Sequence, residues 1–316
     1  MNLIRRINLL AMALAAVMLA GCHQQGRSEL PARPSADGFP VTIVDAQGID
    51  VTVATRPVRI VSTSPTVTEM LFALGAGDRV VAVTEQCDYP PETAELPRVG
   101  GFWTPSVEKV LGVNPDLVIG QRGNPPDFVN VVRKSGVPVF TIDPKTMDEI
   151  FVSIRELARL IGDEEAGRDL IGEMQARLAA VKERVESVPE RERKTAFMVL
   201  QVTPLWTAGS GTFLDDAIRA AGGRNVAHEV SGWRAFATES LLAADPDFII
   251  ASTMEGDPER MRKEITSNAV LKRLTAVKEG RVLLLEADPL MRAGPKIVEA
   301  VETVARAFYP ERLQDH

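Results

Sequence analysis

Histidine, the side chain most often used in acid–base catalysis, is scarce in this chain. Its 316 residues include only three histidines, His23, His228 and His316, and the first and last lie near the ends of the chain. Hydrolysis by a serine or cysteine nucleophile usually needs a histidine as base, and zinc or manganese sites combine histidine with carboxylates. Gly-x-Ser-x-Gly and Gly-x-x-x-x-Gly-Lys motifs are also missing. We therefore expect no enzyme, metal site or cofactor; the alternative, an exported hydrolase, would depend on His228.

Large aromatic side chains are placed where a ligand could bind. All three tryptophans (Trp103, Trp206 and Trp233) fall in predicted loops, as do Tyr89 and Phe102. In parallel α/β sheets, the loops at the carboxyl ends of the strands form ligand crevices, and flat rings offer both apolar contact and stacking. These residues predict a site for a large flat ligand, unless the loop tryptophans only pack locally.

Two glutamates occupy equivalent positions in a repeated segment. Residues 104–120 and 235–251 share a glutamate (Glu108, Glu239), then proline and aspartate seven and eight residues later, then a branched apolar run. Each glutamate could simply favour the amino-terminal end of its own helix. A repeat also predicts two similar lobes, each presenting one acid, which suits docking onto paired basic pockets of a two-fold partner.

The amino terminus predicts export. Arg5-Arg6 precedes an apolar stretch too short to span a bilayer, and this stretch ends in Leu19-Ala20-Gly21-Cys22. Residues 1–21 match a bacterial lipoprotein signal peptide in which Cys22 becomes lipidated; the alternative is an ordinary secretory peptide. The second cysteine, Cys87, then has no disulfide partner, and is either a small residue near a loop or a reactive thiol or metal ligand.

Composition and charge limit the classes of partner that this chain could bind. The net charge is −7, with no basic run, so nucleic-acid binding is not expected. Residues 22–40 are rich in Pro, Gly and Ser and predict a flexible tether. No later segment is apolar enough to cross a membrane. We expect an exported monomer, lipid-anchored to a membrane and facing the periplasm or the cell exterior.

Strand and helix patterns alternate along the rest of the chain. Alternation at this spacing predicts an α/β fold of two Rossmann-like lobes with mostly parallel sheets: an amino-terminal lobe over residues 41–145 and a carboxyl-terminal lobe over residues 189–316. Residues 41–53 predict an entry hairpin. Residues 146–188 have helical periodicity interrupted at Gly162-Asp163, which predicts either a long helical linker between the lobes or two ordinary amphipathic helices. The linker interpretation puts the ligand cleft between the lobes and limits their relative motion.

Several motifs carry a resemblance to a known family. They include Arg59-Ile-Val-Ser-Thr-Ser-Pro-Thr-Val-Thr-Glu69, Arg98-Val-Gly-Gly-Phe102 and the two glutamate repeats. From about residue 41 onward, the chain resembles the periplasmic substrate-binding proteins of ABC importers, in the group with a rigid interlobe helix that serves cobalamin, iron-siderophores and haem. Asp88-Tyr-Pro-Pro91, Gln121-Arg-Gly-Asn124, Thr203-Pro-Leu-Trp-Thr-Ala-Gly209, Gly222-Gly-Arg-Asn225 and Trp233 make it most similar to the cobalamin-binding members.

This resemblance implies a function and a set of site residues. It implies a protein that captures a corrinoid between its lobes and delivers it to an ABC permease dimer with its ATPase, without chemistry of its own. It implies that aromatic residues of the loops bind the ligand, and arginines of the loops are further candidates. The full set is Tyr89, Phe102, Trp103, Arg122, Trp206, Trp233 and Arg292. Glu108 and Glu239 would meet arginines on the permease.

The resemblance does not identify a single ligand, or every residue that contacts it. Phe102-Trp103 replaces what we expect to be a single aromatic residue, so either ring could face the ligand. A siderophore would favour several Arg or Tyr side chains, and Arg122, Arg234 and Arg292 are compatible with that. Haem would need an iron ligand such as Tyr89.

Overall fold

The computed structural model describes residues 38–251, 258–285 and 292–313. The predicted signal peptide, Cys22 and nearly all of the predicted tether lie outside these residues. In the described part of the chain, no helix combines the length and apolar character needed to span a bilayer.

The fold begins with the predicted hairpin. Strands β1 (Val41–Val44) and β2 (Asp50–Val53) pair antiparallel. In the connecting turn, the Asp45 carboxylate accepts hydrogen bonds from the backbone N–H groups of Gln47 and Ile49, at 2.9 and 3.0 Å. These bonds satisfy donors that the short turn would otherwise leave without partners, and they fix the hairpin register.

The amino-terminal lobe contains a four-stranded parallel sheet in the order β4-β3-β5-β6. Its strands are short and apolar, as expected for strands covered on both faces. They are β3 (Ile60–Ser62), β4 (Val80–Val83), β5 (Leu117–Gln121) and β6 (Val139–Ile142). The helices of this lobe are α1 (Pro65–Ala73), α2 (Val107–Gly112) and α3 (Pro126–Lys134).

Two helices follow where the sequence predicts a helical linker. They are α4 (Met147–Ile161) and α5 (Glu164–Val185). The first of them is capped, because the Thr146 side chain accepts a hydrogen bond from the Glu149 backbone N–H at 3.3 Å. Gly162 has a left-handed φ of 74° and ends α4. The linker is thus divided at Gly162-Asp163, and α5 provides its long helix.

The carboxyl-terminal lobe contains a second four-stranded parallel sheet, in the order β12-β11-β7-β9. Its strands are β7 (Thr195–Val199), β9 (Arg224–Asn225), β11 (Phe248–Ala251) and β12 (Val282–Leu284). A separate antiparallel ribbon pairs β8 (Trp206–Ala208) with β10 (Trp233–Ala235). The helices are α6 (Phe213–Ala220), α7 (Thr238–Ala244), α8 (Pro258–Ser267), α9 (Thr275–Lys278) and α10 (Ile297–Phe308).

The two sheets have the same topology, as the repeat predicts. The repeated segments become α2-turn-β5 and α7-turn-β11, and both β5 and β11 lie beside the first strand of their sheet. The two aspartates of the repeat accept equivalent hydrogen bonds, each at the start of the first strand of its sheet. Asp116 accepts hydrogen bonds from the backbone N–H groups of Val58 and Arg59, just before β3. Asp247 accepts them from the backbone N–H and the hydroxyl of Thr195, at the start of β7.

The cores of the lobes meet through the linker helices. One continuous cluster of buried apolar side chains contains Ile60 and Ile119 of the first sheet, Ile154 and Val181 of the linker, and Met198 of the second sheet. A close-packed core resists relative displacement of its parts. The shared core therefore supports the expectation that the lobes move little relative to each other.

An ion pair adds to this connection. Arg177 of α5 donates two hydrogen bonds to the Glu302 carboxylate of α10, at 2.9 and 2.8 Å. The hydrogen bonds from Arg177 hold the pKa of Glu302 below its usual range. This two-bond geometry is among the stronger ones that an arginine and a carboxylate form.

Cys87 lies inside the amino-terminal lobe, fully buried. Its sulfur is 3.1 Å from the hydroxyl oxygens of both Thr68 and Thr84. Burial raises the pKa of the thiol, and the hydrogen bonds from the two threonines only partly oppose this. The structure therefore favours a small buried residue over a reactive thiol.

We expect the replacement Asp247→Ala to lower the free energy of unfolding by about 1.5–3 kcal/mol, because it removes hydrogen bonds to a charged acceptor and leaves the Thr195 N–H without that partner. Urea unfolding followed by circular dichroism measures the change. Asp169→Ala is the matched control, since Asp169 is exposed within α5, and it should change stability by less than about 0.5 kcal/mol. Equal effects of the two replacements would contradict the structural role of the repeated aspartate.

Alkylation should detect the burial of Cys87. In a Cys22→Ala variant, Cys87 is the single thiol. Because only the thiolate reacts and burial suppresses it, iodoacetamide should modify the folded protein at least about tenfold more slowly than the urea-unfolded protein at the same pH. Mass spectrometry measures both rates, and similar rates would show that the thiol is accessible in the native state.

Candidate functional site

A large cavity lies between the two lobes, with a volume of about 1230 Å³. It is at the carboxyl ends of strands β5, β6 and β7, where open parallel sheets usually bind ligands. The amino-terminal lobe contributes Gln121, Arg122, Asp143, Pro144 and Lys145 to its wall. The carboxyl-terminal lobe contributes residues 200–203, Trp206, Phe213, Trp233 and several residues of α8. Both lobes thus form the site, as the predicted interlobe cleft requires.

The loop after β5 is fixed by a buried asparagine. The Asn124 side chain donates hydrogen bonds to the carbonyl oxygens of Thr63 and Phe102, at 3.0 and 2.9 Å. Its own oxygen accepts from the Thr63 hydroxyl at 2.8 Å. One amide therefore ties together the loops after β3 and β5 and the loop that carries Phe102 and Trp103.

The aromatic pair lies beside this loop. Phe102 and Trp103 contact each other edge to face, with ring centroids 4.5 Å apart. Gly123 has a φ of 118°, and a Cβ atom there would lie 3.0 Å from the Phe102 ring and 3.2 Å from the Trp103 ring. Only glycine allows the rings to approach the loop so closely. Trp103 is 63% exposed, and neither ring is part of the wall of the cavity.

The other two tryptophans form part of the cavity wall. Trp206 and Trp233 are 39% and 37% exposed. The prediction that they lie in loops is wrong: each is the first residue of a strand of the β8–β10 ribbon. Phe213, which also lines the cavity, packs against Trp233 with ring centroids 5.4 Å apart. The ribbon therefore presents two indole rings to the space between the lobes.

A tight backbone approach holds this ribbon in place. The N–H groups of Gly209 and Ser210 donate to the carbonyl oxygens of Gly232 and Val230, at 2.9 and 2.8 Å. A Cβ atom on Gly209 would lie 1.8 Å from the Val230 carbonyl oxygen. The glycine that ends the sequence motif of residues 203–209 is therefore required by the packing of the ribbon.

Several polar residues of the cavity wall are absent from the sequence-based set of site residues. Asp143 and Lys145 directly follow β6, so their position at the carboxyl end of a strand could have indicated them. Arg260, Glu264 and Asn268 come from α8 or the turn after it. Nothing in the sequence of α8 distinguishes these residues from those of any exposed helical face.

Charge is distributed unequally over the cavity wall. On the amino-terminal side, Arg122 and Lys145 lie 3.5 and 3.4 Å from the Asp143 carboxylate. On the opposite side, Arg260 and Glu264 pair one helical turn apart, at 3.6 Å. The amino-terminal wall thus carries an excess of one positive charge, whereas the α8 pair is neutral.

Tyr89 and Arg292 lie outside the wall of this cavity and take part in contacts between the lobes. The Arg292 guanidinium pairs with Asp88 of the amino-terminal lobe. The ammonium group of Lys296 lies over the Tyr89 ring, 3.8 Å from its centroid. The Lys296 backbone N–H donates to the Glu69 carboxylate at 2.8 Å. We call this group (Glu69, Asp88, Tyr89, Arg292 and Lys296) the interlobe cluster.

The two repeated glutamates are exposed at the starts of their helices. Glu108 lies in the first turn of α2, which is capped by the Ser106 side chain. Glu239 lies in the first turn of α7. Each lobe therefore presents one acid at an equivalent place, and each acid also favours its own helix electrostatically.

His228 has a structural partner. Its Nδ1 lies 2.9 Å from a carboxylate oxygen of the buried Asp215, whose other oxygen accepts from the Asn225 side chain at 2.9 Å. His228 is not part of the cavity wall. Within the ranges that the structure describes, no three His, Cys, Asp or Glu side chains come together as a possible metal site.

Comparisons with known proteins agree with this architecture. The family described as periplasmic binding protein matches residues 60–289. The ABC transporter substrate-binding lipoprotein YvrC of Bacillus subtilis, itself uncharacterised, is 32% identical over 96% of this chain and 97% of its own length. These matches confirm the resemblance to the binding proteins of ABC importers.

Solved structures have the same two-lobed fold. The periplasmic vitamin B12-binding protein BtuF of Vibrio cholerae superimposes with a TM-score of 0.68 and 30% identity, over 82% of this chain and 99% of its own. A periplasmic haem-binding protein from Roseiflexus sp. RS-1 gives a TM-score of 0.68 and 28% identity, over 81% and 99%. The fold and binding-protein type are therefore shared with proteins whose ligands differ.

Proposed function

The chain belongs to the periplasmic binding protein family, and we propose that it captures a corrinoid such as cobalamin between its lobes and delivers it to an ABC importer. The observation that carries this proposal is the cavity of about 1230 Å³ with two partly exposed indole rings in its wall. Its volume exceeds the roughly 300–1,000 Å³ usual for drug-sized ligands. A corrinoid is a large flat macrocycle, and stacking on rigid aromatic rings suits it.

The proposed contacts divide between the two lobes. Trp206 and Trp233 contact the flat face of the ligand from the carboxyl-terminal lobe, and Arg122 contacts it from the amino-terminal lobe. Phe102 and Trp103 extend the wall next to the loop of Arg122 and contact the exposed edge of the ligand. Tyr89 and Arg292 border the site through the interlobe cluster, which holds the lobes at a fixed separation.

Haem and ferric siderophores are the alternative ligands. Haem would need an iron ligand, and the sequence-based candidate, Tyr89, stacks under Lys296. A siderophore would favour several Arg or Tyr side chains, whereas the described part of the cavity wall contains two arginines, Arg122 and Arg260, and no tyrosine. Both observations support the corrinoid over its competitors.

The proposed partners follow from the family and from the amino terminus. Lipid on Cys22 would anchor the protein to a membrane, and a relative named as a lipoprotein supports this proposal. Glu108 and Glu239 would contact basic residues of a two-fold permease dimer, which works with its ATPase, one glutamate from each lobe of a monomeric binding protein. The binding protein itself performs no chemistry.

Ligand titration tests the corrinoid assignment. The purified protein should bind cyanocobalamin, measured by calorimetry, more tightly than haemin or a ferric hydroxamate siderophore. Trp206→Ala and Trp233→Ala should each weaken binding by about 2 kcal/mol or more, because a buried aromatic contact is lost. Trp206→Phe is the matched control and should retain most of the affinity, since it keeps a flat ring. Binding of haemin or the siderophore alone would identify a different ligand.

Charge reversal tests the docking surface. The double replacement Glu108→Lys, Glu239→Lys should abolish uptake of labelled cyanocobalamin by cells while leaving the affinity of the purified protein unchanged, because both acids are exposed away from the cavity wall.

The control for this experiment is Glu183→Lys, which reverses an exposed charge on α5. It should leave uptake at the level of the unmodified protein. A loss of ligand affinity in the double variant would instead assign the two glutamates to the ligand site.

A further inference from the structure

Two cations on the amino-terminal wall of the cavity share a single carboxylate. Arg122 directly follows β5, and Lys145 follows β6, the neighbouring strand. The Arg122 backbone N–H donates to the Ile142 carbonyl oxygen at 2.8 Å, which fixes the two loops side by side. One carboxylate oxygen of Asp143, Oδ2, lies 3.5 Å from Arg122 and 3.4 Å from Lys145. We call these three residues the cation pair and its aspartate.

The aspartate cannot saturate these cations. A guanidinium has five N–H donors and an ammonium group three, whereas one carboxylate offers two oxygens. The measured separations are longer than the roughly 2.7–2.9 Å of a tight charge-assisted hydrogen bond. The Arg122 and Lys145 side chains are 66% and 57% exposed, whereas that of Asp143 is only 21% exposed. Donors of both cations are therefore available to a molecule in the cavity.

Among the described residues, the remainder of the cavity wall offers no comparable group. The Arg260–Glu264 pair is internal to α8 and neutral as a unit. Aromatic and other apolar side chains occupy much of the wall near Trp206 and Trp233. An anionic substituent of a bound ligand would thus be oriented toward Arg122 and Lys145, with its apolar part against the indoles.

We propose that Arg122 and Lys145 form an anion-binding subsite that recognises the phosphodiester of the nucleotide loop of a complete corrinoid. This inference depends on the corrinoid proposed above and adds a determinant of specificity to it. Asp143 holds the two cations near each other, because both lie next to the same oxygen of its carboxylate. The subsite makes the protein select corrinoids that carry the nucleotide loop over those that lack it, because a cationic site loses its counter-charge when the phosphodiester is missing.

Comparison of two corrinoids tests the subsite. Cobinamide has the corrin ring but no nucleotide loop, so it lacks the phosphodiester. Calorimetry should give the unmodified protein at least about tenfold tighter binding of cyanocobalamin than of dicyanocobinamide, since a hydrogen bond to a charged group contributes roughly a factor of ten or more. The double variant Arg122→Ala, Lys145→Ala should weaken the binding of cyanocobalamin more than that of dicyanocobinamide, and so lose most of this difference.

The remaining binding of cobinamide also shows that the variant is folded. Arg260→Ala is the matched control: it removes a cation from the opposite wall and should leave the ratio of the two affinities unchanged. Equal losses for both corrinoids in the double variant, or no preference in the unmodified protein, would overturn the anion subsite while leaving the corrinoid proposal intact. Failure of the unmodified protein to bind either corrinoid would overturn both.

Discussion

The packing of the linker helices against both lobes is the interaction on which the site depends. Side chains of α4 and α5 belong to the same buried cluster as the strands of both sheets, and Arg177 joins α5 to the closing helix α10 through Glu302. A cavity of this size between two lobes persists only if something outside it fixes their separation. The shared core does so on one side, and the interlobe cluster adds contacts between the same two lobes. The walls are thereby organised before any ligand arrives, which reduces the cost of binding.

The duplicated topology explains why equivalent residues recur. Both sheets place the strand of the repeat beside their first strand, and in both an aspartate of the repeat binds the backbone at the start of that strand. The residue just before the repeated proline has a positive φ in each copy, 48° at Asn114 and 36° at Asp245. The proline, the aspartate and the turn are thus explained by local structure. The glutamate is the repeated polar residue whose side chain remains exposed, which is why docking rather than folding is proposed for it.

Local patterns predicted much of this fold. The hairpin, the alternation of strands and helices, and the repeat all depend on residues close together in sequence, and the structure confirms them. The β8–β10 ribbon escapes prediction because its strands have three residues each and pair across 25 to 29 positions, with Trp233 opposite Ala208 at one end and Trp206 opposite Ala235 at the other. Such short strands have too little periodicity to be recognised, so the tryptophans were assigned to loops.

The site was harder to predict than the fold. Arg122, Trp206 and Trp233 line the cavity. Tyr89 and Arg292 instead contact residues of the opposite lobe, and these contacts depend on how the two lobes face each other. No local pattern encodes that arrangement. Asp143 and Lys145 could have been found from their place after a strand, whereas the residues of α8 reach the cavity only through the tertiary packing of the second lobe.

A shared core has a consequence for how an importer would sense occupancy. A ligand alters the docking affinity of its carrier only if it shifts the carrier between shapes or touches the transporter itself. If the lobes are held as we expect, the empty protein presents nearly the same surface, with Glu108 and Glu239 at the same spacing, as the loaded one. Empty carriers would then compete with loaded ones for the same transporter, and the transport rate would depend on the loaded fraction of carriers rather than on ligand concentration alone.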